Sequence, residues 1–234
     1  MRPKTITSEY LDLQRKLHQR ADYGIASLSF APVIAAVMSQ HGLTSLSDYG
    51  AGKKNLLRGL HDIGVHPSEY FPYDPAFPEY GDPKPADLAC CIDVLEHIKP
   101  SQLTNVLSEL CSITTSLGFL SIHMGPAEKV LADGRNAHLI QKPSSWWLPR
   151  IARYFEVVEL QSHELAGSGI WLLVKPKIPS PSMKQRFRNW LITARYPNYT
   201  PSEPRHLSGR WTEQPLGRAR LTAVCLASTH HIRV

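Results

Sequence analysis

Between Ser8 and His41 the apolar residues Tyr10, Leu11, Leu13 and Leu17, and then Val33, Ile34, Val37 and Met38, recur at helical spacing. The pattern predicts two helices at the amino end. The period then changes: Leu43 to Tyr49 reads as a short strand running into Gly50-Ala51-Gly52, and Asn55 to Leu60 resumes a helical pattern. Tyr70 to Tyr73 is a second strand, stopped by Asp74-Pro75, and Ala86 to Ile92 is a third. The nearly unbroken apolar run of the third is what a strand covered on both faces requires.

Pro100-Ser101 opens a predicted helix over Ser101 to Ser112, and Phe119 to Ile122 follows as a strand. Trp146 to Tyr154 is again helical. Phe155 to Leu160 and Ile170 to Val174 are strands separated by a turn with Gly167 and Gly169, the pattern of a hairpin. Pro176, Pro179 and Pro181 then break regular structure, so a boundary is expected near Lys175, with only a local helix around Lys184 to Ala194. Strands alternating with helices predict an α/β architecture: a mostly parallel sheet flanked by helices and closed by an antiparallel edge hairpin. The expected organisation is amino-terminal helices over 1–42, a core over 43–175 and an extension over 176–234.

Composition agrees with a packed fold, since 42% of the 234 residues are hydrophobic and 20% are charged. The longest apolar stretch, Ile25 to Met38, is broken by Ser27, Ser29 and Pro32 and falls short of the ~20 residues of a membrane span. Arg2 and Lys4 precede a polar run without the apolar centre of a secretion signal, so a cytoplasmic protein is expected. Cys90, Cys91, Cys111 and Cys225 lack paired metal-ligand spacing, and no metal is expected. Charge is distributed unevenly. Residues 1–174 hold 15 Lys and Arg against 18 Asp and Glu, whereas residues 175–234 hold 11 against 2.

Three segments carry candidate chemistry. In Asp48-Tyr-Gly-Ala-Gly52 the glycines permit a sharp turn and close ligand approach, and the helix that follows offers free amides. Asp74 ends the second strand, where an acid in an open parallel sheet can accept hydrogen bonds from ribose hydroxyls; the alternative is a turn-forming Asp before Pro75. The third strand delivers Asp93, Glu96 and His97 to the same edge.

With these residues in view, Asp48-Tyr-Gly-Ala-Gly52 resembles the first motif of class I S-adenosylmethionine-dependent methyltransferases, and Ile92-Asp-Val-Leu-Glu-His97 resembles the motif after their fourth strand. Tyr73-Asp-Pro75, Asp133-Gly-Arg-Asn-Ala-His-Leu-Ile140 and Trp146-Trp147 are similar to a narrower bacterial and phage group. The resemblance spans Ser45 to Lys175. It implies a Rossmann-like methyltransferase fold with S-adenosylmethionine as cofactor. Gly50 and Gly52 would line its methionine part, with Tyr49 and Ala51 in the same turn; Asp48 would orient its amino group, Asp74 would hold the ribose, and Asp93 and Val94 would flank the reacting methyl. Two departures stand out. Lys54 replaces the usual third glycine, beside Lys53, and only eleven residues separate Asp74 from Ala86, too few for the usual helix and third strand. Gly81-Asp82 is then the nearest candidate for adenine contact.

Methyl transfer from a sulfonium needs alignment first and a base second. His97, His123 and His138 are the candidate bases; their structural alternatives are a helix cap, a buried strand-end side chain and packing beneath Trp146. Ala127 to Trp147 could form a lid or acceptor wall; for Trp146 and Trp147 the alternative is plain core, the more frequent place of aromatic side chains. The implied activity is methyl transfer to oxygen or nitrogen of a small molecule or glycan. Base methylation is disfavoured by the lack of an Asp-Pro-Pro-Tyr or Pro-Cys motif, and NAD binding by Asn55 in place of the last glycine of Gly-x-Gly-x-x-Gly. The other reading takes the basic tail as a nucleic-acid surface, with Lys184, Arg186, Arg188 and Arg195 interleaved with Phe187, Trp190 and Tyr196; a solvated extension explains the same residues.

Overall fold

The computed structural model describes residues 4–165 and 168–177. Helices α1 (Ser8–His18) and α2 (Ala26–His41) lead into strand β1 (Ser45–Tyr49) and helix α3 (Asn55–Asp62). Strands β2 (Glu69–Tyr73) and β3 (Ala86–Ile92), helix α4 (Leu103–Ile113), strand β4 (Thr114–His123) and helix α5 (Ser144–Ile151) follow. Strands β5 (Phe155–His163) and β6 (Gly169–Pro176) complete the described chain. The six strands form one sheet in the order β2-β1-β3-β4-β6-β5, with the first three pairings parallel and the last two antiparallel. The predicted edge hairpin is β5–β6. Between β2 and β3 there is a single 3-10 turn, Pro78–Tyr80, and no strand, which leaves β2 at the sheet edge as the shortened third-strand region implied.

Successive strand residues face opposite sides, and both sides are covered. Phe30, Val33, Ile34 and Val37 of α2 and Leu56 and Leu60 of α3 pack on Leu46, Leu88, Cys90 and Phe119. On the other face Leu103, Val106, Leu107 and Leu110 of α4 and Trp147 and Ile151 of α5 pack on Ala89, Cys91, Leu120 and Ile122. Adjacent cysteines in β3 therefore belong to different cores. α1 covers neither face; its Tyr10 and Leu17 pack against Leu131 and Ala137 of the loop between β4 and α5.

Several boundaries differ from the sequence pattern. β4 begins at Thr114 and not near Phe119, because the polar run Thr114-Thr115-Ser116 hides a strand that pairs from Ala86↔Thr114 onward. β5 extends to His163 with alternating burial, as an edge strand with one solvated face does. α4 starts at Leu103 after a 3-10 turn at Pro100–Gln102, and α5 starts at Ser144. Among the described residues no helix is long and apolar enough to cross a membrane. Gly167, the helix around Lys184 to Ala194, the basic and aromatic residues of the tail, and Cys225 lie outside the described residues.

Candidate active site

The carboxyl ends of β1, β2 and β3 open into one cavity of about 670 Å³. All the cofactor positions named from sequence line it: Asp48, Tyr49, Gly50, Ala51 and Gly52 from β1 and its turn, Asp74 after β2, and Asp93 and Val94 after β3. His97, His123 and His138 line it as well. Its volume falls within the range of small-molecule sites, roughly 300–1,000 Å³.

The glycine turn is built for close approach. Gly50 and Ala51 donate their amides to the carbonyl of Tyr73, at 2.7 and 3.0 Å, which pins the turn to the end of β2. Gly50 has φ 84°, and a Cβ there would lie 2.3 Å from Cγ2 of Val94. Gly52 donates its amide to Oδ2 of Asp74 at 3.0 Å, while Oδ1 of Asp74 accepts from the amide of Ala76 at 2.8 Å. Asp74 thus forms the predicted local turn and also joins β2 to the glycine loop; each oxygen keeps one further lone pair. Beyond the turn, Lys54 adopts φ 59° and carries its ammonium 4.5 Å over the ring of Tyr80, whose hydroxyl donates to the carbonyl of Gly52 at 2.9 Å. A lysine at the third position of the motif is accommodated by this brace.

Burial pushes up the carboxyl groups of Asp48, Asp74 and Asp93, which line the cavity, and that of Glu96. Asp48 rises to about 7, opposed by the 2.6 Å hydrogen bond that it accepts from the hydroxyl of Tyr70. Asp93 rises to about 6, opposed by a hydrogen bond from Ser121 and by His123. Asp74 and Glu96 are also raised by burial. Asp93 holds φ 51°, the left-handed region that a residue other than glycine occupies at a cost of order 1–3 kcal/mol, and such conformations cluster at functional sites.

The three histidines meet at the side of the cavity nearest β3 and β4. The ring of His138 lies 4.7 Å from that of His97 and 4.8 Å from that of His123. His97 is held far below the usual imidazole range, at about 3, first by burial and then by His138; His138 is lowered too, chiefly by burial. The amide of His138 donates to Oδ1 of Asn136, and Asn136 also exchanges hydrogen bonds with the backbone of Ala127 at 2.9 and 2.8 Å. Asn136 thereby closes the loop that carries Ala127, Glu128 and Lys129 along the cavity wall. The tryptophans are not part of that wall. Trp147 is fully buried in the α4–α5 core, and Trp146 is half-buried with the guanidinium of Arg150 3.6 Å from its ring centre. Gly81 and Asp82 also lie outside the lining.

The sequence pattern missed the roof. The hydroxyl of Tyr10 donates to the carbonyl of His97 at 2.6 Å, Gln14 donates to Tyr10 at 2.7 Å, and Tyr23 donates to Gln14 at 3.2 Å. His18 places Nε2 3.8 Å from Asp74, with the rings of Tyr23 and Phe77 edge-on at 4.9 and 5.1 Å. The available signal was a run of polar and aromatic residues, Tyr10, Gln14 and His18, at spacings of four along α1.

No family model and no curated protein matches the chain in sequence. Solved structures do resemble it. One is 1,6-didemethyltoxoflavin-N1-methyltransferase of Burkholderia thailandensis, solved with 1,6-didemethyltoxoflavin and S-adenosylhomocysteine bound. It is 16% identical with a TM-score of 0.52, over 75% of this chain and 92% of that one. TnmH is 12% identical with a TM-score of 0.51, over 72% of this chain and 61% of its own. The PH0226 protein of Pyrococcus horikoshii OT3 is 13% identical with a TM-score of 0.50, over 74% and 100%. These likenesses define the class of fold: this chain has the Rossmann-like α/β fold found in methyltransferases.

Proposed function

We propose that the chain binds S-adenosylmethionine in this cavity and transfers its methyl group to oxygen or nitrogen of a small-molecule or glycan acceptor. The observation that carries the reading is the meeting of the Gly50 turn, Asp74 and Asp93 around one cavity at the carboxyl ends of three parallel strands. Ligands of open α/β sheets bind at this place. Its buried acids suit a ligand carrying an ammonium and a sulfonium, and the cradle at Gly50 and Gly52 admits backbone approach. The neighbour's bound S-adenosylhomocysteine supports the same cofactor.

In this reading Asp48 orients the cofactor amino group, with Tyr49, Gly50, Ala51 and Gly52 lining its methionine part. Asp74 accepts from the ribose hydroxyls with the lone pairs left after Gly52 and Ala76. Asp93 and Val94 flank the reacting methyl. The bound cofactor supplies an electrophilic methyl group for in-line displacement. The protein aligns the acceptor, and the roof of α1 with the Ala127 to Lys129 wall excludes water. Residues 1–175 form the methyltransferase domain, and 176–234 a basic extension to it.

Calorimetric titration of the full chain with S-adenosylmethionine tests this. One site per chain is expected, and Asp74→Asn should weaken it about tenfold or more, the size of a hydrogen bond to a charged group. No heat of binding at millimolar cofactor would end the proposal.

A further inference from the structure

Glu96, His97 and His138 form a cluster that alignment of a methyl donor does not require. Each offers one ligand atom, and the three atoms lie within 4.8 Å of one another. Nδ1 of His97 is 2.8 Å from the carbonyl oxygen of Ala137, and Nδ1 of His138 is 2.7 Å from that of Gly125. A carbonyl only accepts, so both rings carry their proton on Nδ1 and keep a bare lone pair on Nε2. Orientation of an imidazole by a carbonyl at its far nitrogen is the usual support of a metal-ligating histidine.

The carboxylate is the second, independent observation. Glu96 is 0% exposed; its Oε1 accepts from the amide of His123 at 2.9 Å. Its Oε2 is buried with no hydrogen-bond partner among the described residues. A buried carboxylate oxygen without a partner is costly, and a cation satisfies it. The loop geometry points the same way, since the amide of Ile140 donates to the carbonyl of Glu96 at 2.9 Å and holds the His138 loop against this turn.

We propose that Glu96, His97 and His138 bind one divalent transition-metal cation, of the zinc or manganese kind, at the wall of the cavity that His97 and His138 line. Two imidazoles and one carboxylate are a donor set for such ions, and three protein ligands leave a position open. Metal–nitrogen bonds of about 2.1 Å put neighbouring ligands of a tetrahedral set about 3.4 Å apart, so the widest pair, now within 4.8 Å, closes by about 1.4 Å as the side chains turn onto the ion. Resting on the methyl-transfer reading, the open position narrows the acceptor to a hydroxyl. Coordination there acidifies the hydroxyl. The hydroxyl would lose its proton to solvent as it binds; its oxygen would then form the new bond to the methyl carbon as the carbon–sulfur bond breaks, with both electrons left on sulfur.

The full chain, freed of metal by chelator and dialysed against Zn²⁺, is expected to retain one tightly bound ion measured by mass spectrometry. Glu96→Gln and His138→Gln should each weaken that binding at least about tenfold. His66→Gln, which alters the exposed His61–His66 pair, should leave it unchanged. S-adenosylmethionine titrations of the same samples in chelator report the fold of each variant. A wild-type chain that retains no Zn²⁺, or retention indifferent to Glu96 and His138, overturns the metal site even if the cofactor binds. Zinc binding that depends on both residues without any cofactor binding supports the site and removes the methyl-transfer reading instead.

Discussion

Gly50→Ala is expected to weaken S-adenosylmethionine binding by more than about tenfold, the size of one lost hydrogen bond to a charged group. The added Cβ would lie 2.3 Å from Cγ2, 3.1 Å from Cγ1 and 3.3 Å from Cβ of Val94. Valine has both methyls on its β-carbon and cannot swing them aside as a long side chain can. Either the turn moves away from Tyr73, whose carbonyl accepts from Gly50 and Ala51, or Val94 moves away from the cavity. Adding Val94→Ala should recover part of the affinity. Full recovery is not expected, because alanine at φ 84° remains strained. Calorimetry on the two single variants and the double variant separates the terms; an unimpaired Gly50→Ala protein would sink the assignment of the turn to the cofactor.

A second large effect is expected on stability. Asp48 is buried, and its carboxyl is raised from its ordinary 3.8 to about 7. A raised acid stabilises the fold where it is protonated. That contribution is complete below pH 3.8 and is lost as the pH climbs toward 7, as the unfolded chain ionises first. Between pH 5 and pH 8 the cost amounts to about 2–3 kcal/mol. Asp48→Asn keeps an oxygen to accept from Tyr70 and removes the charge. Its melting temperature should exceed that of the wild type by several degrees at pH 8, with the gap shrinking toward pH 5. Cofactor affinity should fall in the same variant, since the cost is the expense of keeping a carboxylate where an ammonium is to bind. Parallel melting curves for the two proteins across this range would refute the account.

Much of this was legible in the sequence, and the remainder was not for physical reasons. The strand–turn–helix at Asp48 to Leu60 and the two-faced strand at Ala86 to Ile92 announce themselves because glycine punctuation and apolar runs are local signals. β4 did not, since Thr114 and Thr115 are polar residues held by a hydroxyl bond to Leu110 and a bond to Ala86, which are contacts made after the chain has turned. All of the named cofactor positions reached one cavity because strand ends in a parallel sheet are brought together by topology. The roof was invisible: α1 reads as an ordinary amphipathic helix, and only the fold shows that Tyr10 and His18 face a cavity. The expectation of no metal rested on the lack of thiolates or imidazoles that converge in sequence. Glu96 and His97 are adjacent in sequence, but His138 joins them through a loop closed by Asn136, and no spacing rule finds that. Of the two readings of the tryptophan pair, wall or core, the fold takes core, with Trp147 fully buried and Trp146 packed against the same cluster.

The placement of Cys90 and Cys91 on opposite faces of β3 has a consequence of its own. Both thiols are fully buried and burial pushes them well up, so neither should react with an alkylating reagent while its layer is closed. Cys111, only half-buried, should label before either of them. The two neighbours then act as separate clocks. Equal labelling rates, read by peptide mass spectrometry, would mean that both helical layers leave the sheet in one opening event, whereas unequal rates would identify the layer that detaches first.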